Sequence, residues 1–200
     1  MISRLSADPD GWKMTAPNKR GSAKYAAFFR NLNLGRPNCP NRTQLEAAFI
    51  AAGADDASSF LSNGTVVFTT GSNSKAVKIL TLARQALQEE CGLKEPAYVR
   101  SLAALTELAA LDPFAAIVPE QVYERCVSFL HADSVTPAAP LESRRRDVEI
   151  LHFTAAEALS VSRKIGSSPG SPNAFLEQLL GLPATTRSWS TLLRLLQKHG

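Results

Sequence analysis

Two arginines beside turn-forming sequences are the side chains best suited to bind a ligand. Arg30 ends an apolar stretch with the pattern of a strand, and Arg187 precedes the apolar residues of a C-terminal helix. Asn63-Gly64 is a pair typical of a hairpin tip. A strand end, a hairpin tip and a helix start each present free backbone donors, and arginine favours anionic partners. The pattern predicts a site for an anionic small molecule, an interaction surface, or a set of structural contacts.

Arg187 occupies an unfavourable position if a helix begins beside it. Thr186 or Ser188 can cap that helix with a side-chain oxygen, and a cation at the positive end of a helix is disfavoured by the macrodipole. We therefore expect a compensating negative charge, which is either a protein carboxylate or a bound anion. If an anion binds, we expect Arg187 to be at least partly buried near Arg30 or the hairpin tip.

No motif of known catalytic chemistry accompanies these residues. The three histidines, His131, His152 and His199, are not part of an HExxH, GxSxG or GxxxxGK[ST] pattern. Residues 71–75 resemble a phosphate loop only superficially, and we interpret Ser74 as a helix cap. The sequence indicates no catalytic residue, metal site or cofactor, and an enzyme of an unrecognised type stays open as an alternative.

Cysteine spacing and hydropathy favour a reducing compartment. Cys39, Cys91 and Cys126 are odd in number and far apart, which suggests neither a disulfide framework nor a zinc site. The sequence has no run of about 18 apolar residues, which a membrane span would need, and it begins without the apolar stretch of a secretory signal. We expect a soluble, cytoplasmic protein with no membrane partner.

The first 23 residues differ from the rest in composition. The net charge of the chain is +4, and this segment is rich in lysine, arginine, glycine, serine and proline. We interpret residues 1–23 as a disordered basic leader. Met14 is a candidate start of translation, because the residues before it show no periodic pattern.

Residues 24–100 have the element order β-α-β-β-α-β. A capping box at Thr43 and Glu46 begins the first helix, and Asn63-Gly64 joins the central strands as a tight hairpin. This order predicts a ferredoxin-like subdomain, a four-stranded antiparallel sheet with both helices on one face. The predicted strands are residues 25–29, 58–61, 65–70 and 96–100, and the second helix is 74–92. The predicted core residues are Leu45, Phe49, Val66, Phe68, Val77 and Leu80.

Residues 101–200 predict a second, smaller α+β subdomain that ends in two helices. Ser101 can cap a helix that ends before Asp112-Pro113. The other predicted elements are strands at 122–130 and 148–153, a helix at 141–146, a loop at 167–172, and helices at 173–180 and 188–198. The fold class is therefore α+β throughout, and the second half could be a degenerate copy of the first.

Nucleic-acid binding is an alternative function, because RNA-recognition modules share the β-α-β-β-α-β order. Residues 27–32, which include Phe28, resemble their first short motif. Their second motif requires stacking aromatics on the third strand, and here that strand has only Phe68, which core packing explains. Residues 144–146 are three arginines, but acidic neighbours flank them, which is typical of a solvated surface. We expect that RNA binding is not the main activity.

Three ordered motifs resemble the bacterial domain-of-unknown-function 1697 family. Residues 30–35, Arg-Asn-Leu-Asn-Leu-Gly, match its Arg-Gly-Ile-Asn-Val-Gly; residues 63–68 match its hairpin; and residues 184–191 match its Ala-Thr-Thr-Arg-Asn-Trp-Asn-Thr ending. The resemblance implies a fold more than an activity. The chain departs from the family pattern at Asn31, Thr65, Ser188 and Ser190. The ligand-binding candidates that these motifs supply are Arg30, Asn33, Gly35, Asn63, Gly64, Thr186, Arg187 and Trp189.

Overall fold

Residues 21–200 are described by the structure, a computed structural model, and they form two main antiparallel sheets with five α-helices. The predicted α+β class is confirmed. The predicted leader lies outside the described residues, Met14 included, except for its last three residues. The helices are α1 (Arg42–Ala51), α2 (Asn73–Cys91), α3 (Leu102–Ala110), α4 (Pro172–Leu180) and α5 (Trp189–His199). The strands are β1 (Ala23–Phe29), β2 (Asp56–Phe60), β3 (Thr65–Thr70), β4 (Ala97–Ser101), β5 (Glu124–Phe129), β6 (Leu141–Glu142), β7 (Val148–Phe153), β8 (Glu157–Ser162), β9 (Lys164–Ile165), β10 (Ser168–Pro169) and β11 (Thr185–Ser188).

The first sheet follows the predicted order of elements and joins its strands as β2-β3-β1-β4, with every neighbouring pair antiparallel. Side chains alternate across a strand, so one face of β1 and β3 packs against α1 and α2. Phe29, Phe49 and Phe68 lie at the centre of this core and are fully buried. Each is among the predicted strand or helix residues, and the predicted burial of Leu45, Val66 and Leu80 is also confirmed.

Three local predictions for the helices are wrong. Asn41, not Thr43, caps α1, because its side chain accepts from the backbone of Gln44 while the Gln44 side chain accepts from the backbone of Asn41. The predicted box was shifted two residues into the first turn. Likewise Ser72 caps α2 in place of Ser74. Val77 is 47% exposed, since the buried stripe of α2 runs through residues 76, 79, 80, 83 and 87.

The central hairpin has a four-residue loop, and the predicted two-residue turn is therefore wrong. Phe60 pairs with Thr65, so residues 61–64 form the connection. The positive φ angles fall at Leu61 and Gly64, not at Asn63. A Cβ atom at Gly64 would lie 2.7 Å from the Cβ atom of Leu32, so close approach as well as φ requires glycine here.

The second sheet has the strand order β11-β5-β8-β7-β6. The sequence reading missed β8, β11 and the small β9–β10 ribbon, which lies partly in the predicted 167–172 loop. The predicted helix at 141–146 is wrong: Leu141–Glu142 pairs with β7, and Arg146 has a φ of 58° in the following turn. The Ser143 hydroxyl accepts from the backbone of Asp147 and Val148, which stabilises a turn in place of a helix.

The second sheet repeats the first in strand order and register. Its order β11-β5-β8-β7 corresponds to β4-β1-β3-β2. Phe28 pairs with Thr65 and Tyr98, and Phe129 pairs with Glu157 and Thr185 in the same relation. In both halves the last strand runs directly into a serine-capped helix, α3 after Ser101 and α5 after Ser188. The repeat lacks one element, because residues 131–147 contain β6 where the first half has α1.

The two sheets face each other across a shared apolar core flanked by α3 and α5. Phe28 of the first sheet stacks on Phe129 of the second, with ring centroids 3.9 Å apart. Both rings are buried, together with Trp189 and the leucines of the two helices. The two repeats therefore follow each other along the chain, and they bury one core between them.

Candidate functional site

Arg187 lies in β11 and its guanidinium is buried at the junction of the two repeats. The residue is 9% exposed, and all five of its N–H donors have oxygen acceptors between 2.8 and 3.2 Å away. The acceptors are the carbonyl oxygens of Phe29, Asn63 and Thr186 and the hydroxyl oxygens of Thr65 and Thr185. The group therefore ties the end of β1 and the β2–β3 loop to β11, with no donor left for a ligand.

The electrostatics of Arg187 differ from both expectations. Burial lowers its pKa to about 10, so the guanidinium is charged at neutral pH. No described carboxylate pairs with it, and its charge is instead spread over five neutral oxygens and the face of Phe28, whose centroid is 5.9 Å away. The predicted cap is confirmed at Ser188, and α5 begins at Trp189. Arg187 lies in β11 just before this cap, and its guanidinium bonds to the end of β1 and the β2–β3 loop.

Arg100 occupies the corresponding position in the first repeat. It reaches into the second repeat, where it donates to the carbonyl oxygens of Leu130 and Ala156 and to the carboxylate of Glu157 at 2.5 Å. Its guanidinium lies 5.7 Å from the ring of Phe129. Each repeat thus sends an arginine across the interface to the other, as expected for a self-complementary pair of surfaces. Arg100 therefore has a carboxylate partner, Glu157, and Arg187 does not. The position of Glu157 in the second repeat corresponds to Thr65 in the first.

Arg30 is held by two carboxylates. It donates two hydrogen bonds to Glu177 of α4, at 2.5 and 2.9 Å, and one to Glu95 at 2.9 Å. These contacts hold the pKa of the Glu177 carboxyl below its ordinary value and raise that of Arg30. Glu177 also accepts from the backbone of Ala184. The shallow cavity beside this cluster, about 400 Å³, is therefore lined by an arginine whose charge is already compensated.

The other predicted site residues lie near these two arginines and make mainly structural contacts. Trp189 packs edge-on against Phe114, with centroids 5.0 Å apart. Thr186 shares a hydrogen bond with Ser128 at 2.7 Å. Asn33 and Gly35 are exposed in the loop after β1, which the backbone of Leu34 links to the hairpin loop. The structure therefore brings the three motifs together, although the Oδ1 atom of Asn63 is left buried without a partner among the described residues.

The aromatic residue on which RNA binding depended is not accessible. Phe28 is 1% exposed and lies between the two sheets, and Phe68 is buried on the helix face. Within residues 21–200, no group of three or more His, Cys, Asp or Glu side chains is placed to hold a metal ion. Burial raises the pKa of the Cys126 thiol to about 12, which makes it a poor nucleophile.

A groove that the sequence reading missed runs between α4 and the β6–β7 turn. Its volume is about 710 Å³, within the usual range for ligand sites. The floor is Val148, Phe175 and Leu179, of which Leu179 is 40% exposed. Gly170 brings the two walls together, because a Cβ atom there would lie 2.2 Å from the carbonyl oxygen of Asp147. We call this feature the α4 groove.

One arginine on the rim of the α4 groove has no partner within residues 21–200. Three neighbouring arginines each face a carboxylate: Arg145 with Asp147, Arg146 with Glu142, and Arg163 with Glu149. Arg144 lines the groove and makes no hydrogen bond or ion pair with any residue of the described chain. The sequence predicts a solvated surface for the three arginines at 144–146, and ion pairs with carboxylates account for Arg145 and Arg146. The third leaves a positive charge beside an apolar floor.

The fold and these sites define an α+β protein of two facing antiparallel sheets whose repeats are joined by reciprocal arginines. The chain belongs to the family described as Protein of unknown function (DUF1697), whose model matches residues 23–158. The first two sequence motifs fall inside that stretch, and residues 184–191 lie beyond it. No curated protein matches the chain.

A solved structure shares the fold. The conserved bacterial protein SP0830 from Streptococcus pneumoniae matches with a TM-score of 0.57 and 17% identity, covering 88% of this chain and 98% of that one. At this identity the likeness concerns the fold alone. Across residues 21–200, no helix combines the length and apolar character that a membrane crossing would need.

Proposed function

We propose that the protein is a binding domain whose ligand is acidic at one end and apolar along the rest, and that the α4 groove holds it. The observation that carries the proposal is the position of Arg144, which pairs with none of the described residues, beside Phe175 and the half-exposed Leu179. A carboxylate or similar group would pair with Arg144, while an apolar body would cover the leucine and the phenylalanine.

The motif cluster supports this choice by contrast. An anion at Arg187 would have to replace five existing hydrogen bonds. At Arg30 it would compete with the bidentate carboxylate of Glu177. We therefore interpret the residues of the three motifs as structural, and we assign ligand binding to a different part of the second repeat.

Fluorescence titration with anilinonaphthalene sulfonate, an anionic aromatic probe, tests the proposal. We expect saturable binding that decanoate displaces and that neutral decanol displaces at least about tenfold less well. Leu179→Glu and Arg144→Glu should each weaken probe binding by about tenfold or more. The matched controls are Leu82→Glu, a leucine of similar exposure on α2, and Arg194→Glu, an exposed arginine on α5.

Two outcomes would refute the proposal. One is probe binding that the groove variants leave unchanged, which would mean that the probe binds elsewhere. The other is equal displacement by decanoate and decanol, which would mean that Arg144 does not select a negative charge.

A further inference from the structure

The internal repeat indicates what kind of ligand fits the α4 groove, and this inference rests on the function proposed above. In the first repeat, α1 packs against α2 and the sheet, and it buries Leu45, Ala48 and Phe49 there. In the second repeat, α4 corresponds to α2, but residues 131–147 supply no helix beside it. The α4 groove lies along the side of α4 where the counterpart of α1 would be.

Equivalent positions on the two helices support this correspondence. Both helices end at a glycine with left-handed φ, Gly92 after α2 and Gly181 after α4. Five residues before each glycine is a fully buried leucine, Leu87 or Leu176. Two residues before each glycine is the position that meets the neighbouring helix in the first repeat. There Glu90 accepts a hydrogen bond from Gln44 of α1 at 2.7 Å, whereas Leu179 in the second repeat faces the groove.

We propose that the α4 groove binds an acidic amphipathic helix of a partner protein, which takes the place that α1 fills in the first repeat. The lining residues of α4 and its cap extend from Ser171 to Leu179, a length of about 13 Å or two and a half helical turns at 1.5 Å per residue. This length suits a short apolar stripe with i, i+3, i+4 spacing. Arg144 selects an acidic residue on the partner, because the neighbouring Arg145 is already paired with Asp147 at 3.5 Å.

The test uses a designed peptide as the probe for the full protein. It is a fluorescein-labelled peptide of about 14 residues, near the minimum length for an isolated helix, with an i,i+4 lactam bridge to hold it helical. Leucine, alanine and phenylalanine follow the spacing of Leu45, Ala48 and Phe49, and glutamates flank this apolar stripe, where they can reach the rim of the groove. One control peptide has a central proline, which breaks the helix, and a second has lysines in place of the glutamates.

We expect the helical acidic peptide to bind saturably by fluorescence anisotropy and to displace anilinonaphthalene sulfonate. The proline and lysine peptides should each bind at least about tenfold more weakly. Leu179→Glu and Arg144→Glu should each weaken binding of the acidic peptide by a similar factor. The control variants Leu82→Glu and Arg194→Glu should change its affinity less than about twofold.

The outcomes separate this inference from the function on which it rests. The proposed helical partner would be wrong if the helical and proline peptides bound equally well. It would also be wrong if no peptide bound while decanoate bound in a way that the groove variants weaken. Either result would leave an acidic small-molecule site. Peptide binding that neither groove variant reduces would overturn the proposed location. If the groove variants change the affinity of neither decanoate nor any peptide, both proposals are wrong.

Discussion

Replacement of Arg187 by methionine should destabilise the protein strongly, because the guanidinium donates to five oxygens at the junction of the two repeats. Methionine has a similar length but no donor. In the variant, Phe29 O keeps a long contact of 3.4 Å from the Thr185 hydroxyl, whereas Asn63 O loses its 2.8 Å bond to the guanidinium. Thr186 O and the Thr65 hydroxyl also lose their bonds to this group.

The size of the effect follows from opposing contributions. Each buried acceptor left without its partner costs about 1–3 kcal/mol, and three acceptors would nominally cost about 3–9 kcal/mol. The variant also avoids the cost of burying a charge, which stabilises it by about 3 kcal/mol. This figure follows because burial lowers the pKa of Arg187 from 12.5 to about 10 in the wild type, and one pKa unit is about 1.4 kcal/mol. The Phe28 contact and the closely packed side chain are lost as well. We expect a net loss of about 3 kcal/mol or more, which corresponds to a Tm lower by roughly 6–12 °C for a chain of this size.

Urea denaturation followed by far-UV circular dichroism measures this difference in the free energy of unfolding. Arg194→Met on the exposed side of α5 is the matched control, and we expect it to change stability by less than about 0.5 kcal/mol. Thr65→Val removes one acceptor and should cost about 1 kcal/mol. A loss below about 1 kcal/mol for Arg187→Met would refute the role of the guanidinium as a structural tie. Saturable NMR chemical-shift changes at the amides of residues 184–189 during titration with phosphate would instead support an anion site at this position.

Two further predictions concern the core and the pH dependence of stability. Phe68→Ala should cost about 3–5 kcal/mol because the ring is fully buried, whereas Val77→Ala should cost under about 1 kcal/mol because Val77 is half-exposed; similar losses in urea denaturation would contradict the register of α2. Since Arg30 depresses the pKa of Glu177 in the folded state, its contribution to stability is complete above the ordinary carboxyl pKa of about 4.5 and is lost as the pH falls through the lower folded value. Glu177→Gln should therefore show a shallower decline in unfolding free energy below about pH 4.5 than the wild type, and equal slopes would show that the ion pair does not contribute.

Local sequence signals determined most of the first repeat. Apolar alternation in β1 and β3 and the helical spacing of α1 are set by backbone geometry, which the residues themselves report. The errors there are small shifts, such as the cap at Asn41 in place of Thr43. They arise because several neighbouring polar residues can cap a helix, and the contacts of the first turn decide among them.

Elements of the second repeat that depend on pairing left weaker signals. The strand β11 is Thr-Thr-Arg-Ser, a polar stretch that reads as a helix cap, and it is a strand because it pairs with β5. Residues 141–146 read as a helix, but the pairing of Leu141 with Ile150 and the Ser143 hydroxyl bonds favour a hairpin. Strand formation draws on partners distant in sequence, so it is less visible in a single segment than helix formation.

The sequence by itself determined the fold class, the family and the residues of the three motifs that meet in space. Only the tertiary structure decided what those residues do, because a buried arginine and a ligand-binding arginine look the same in a sequence. Arg187 became a tie between repeats when five oxygens from separate segments surrounded it. The α4 groove was equally hidden, since its two walls come from segments about 30 residues apart whose approach at Gly170 and Asp147 depends on the folded sheet.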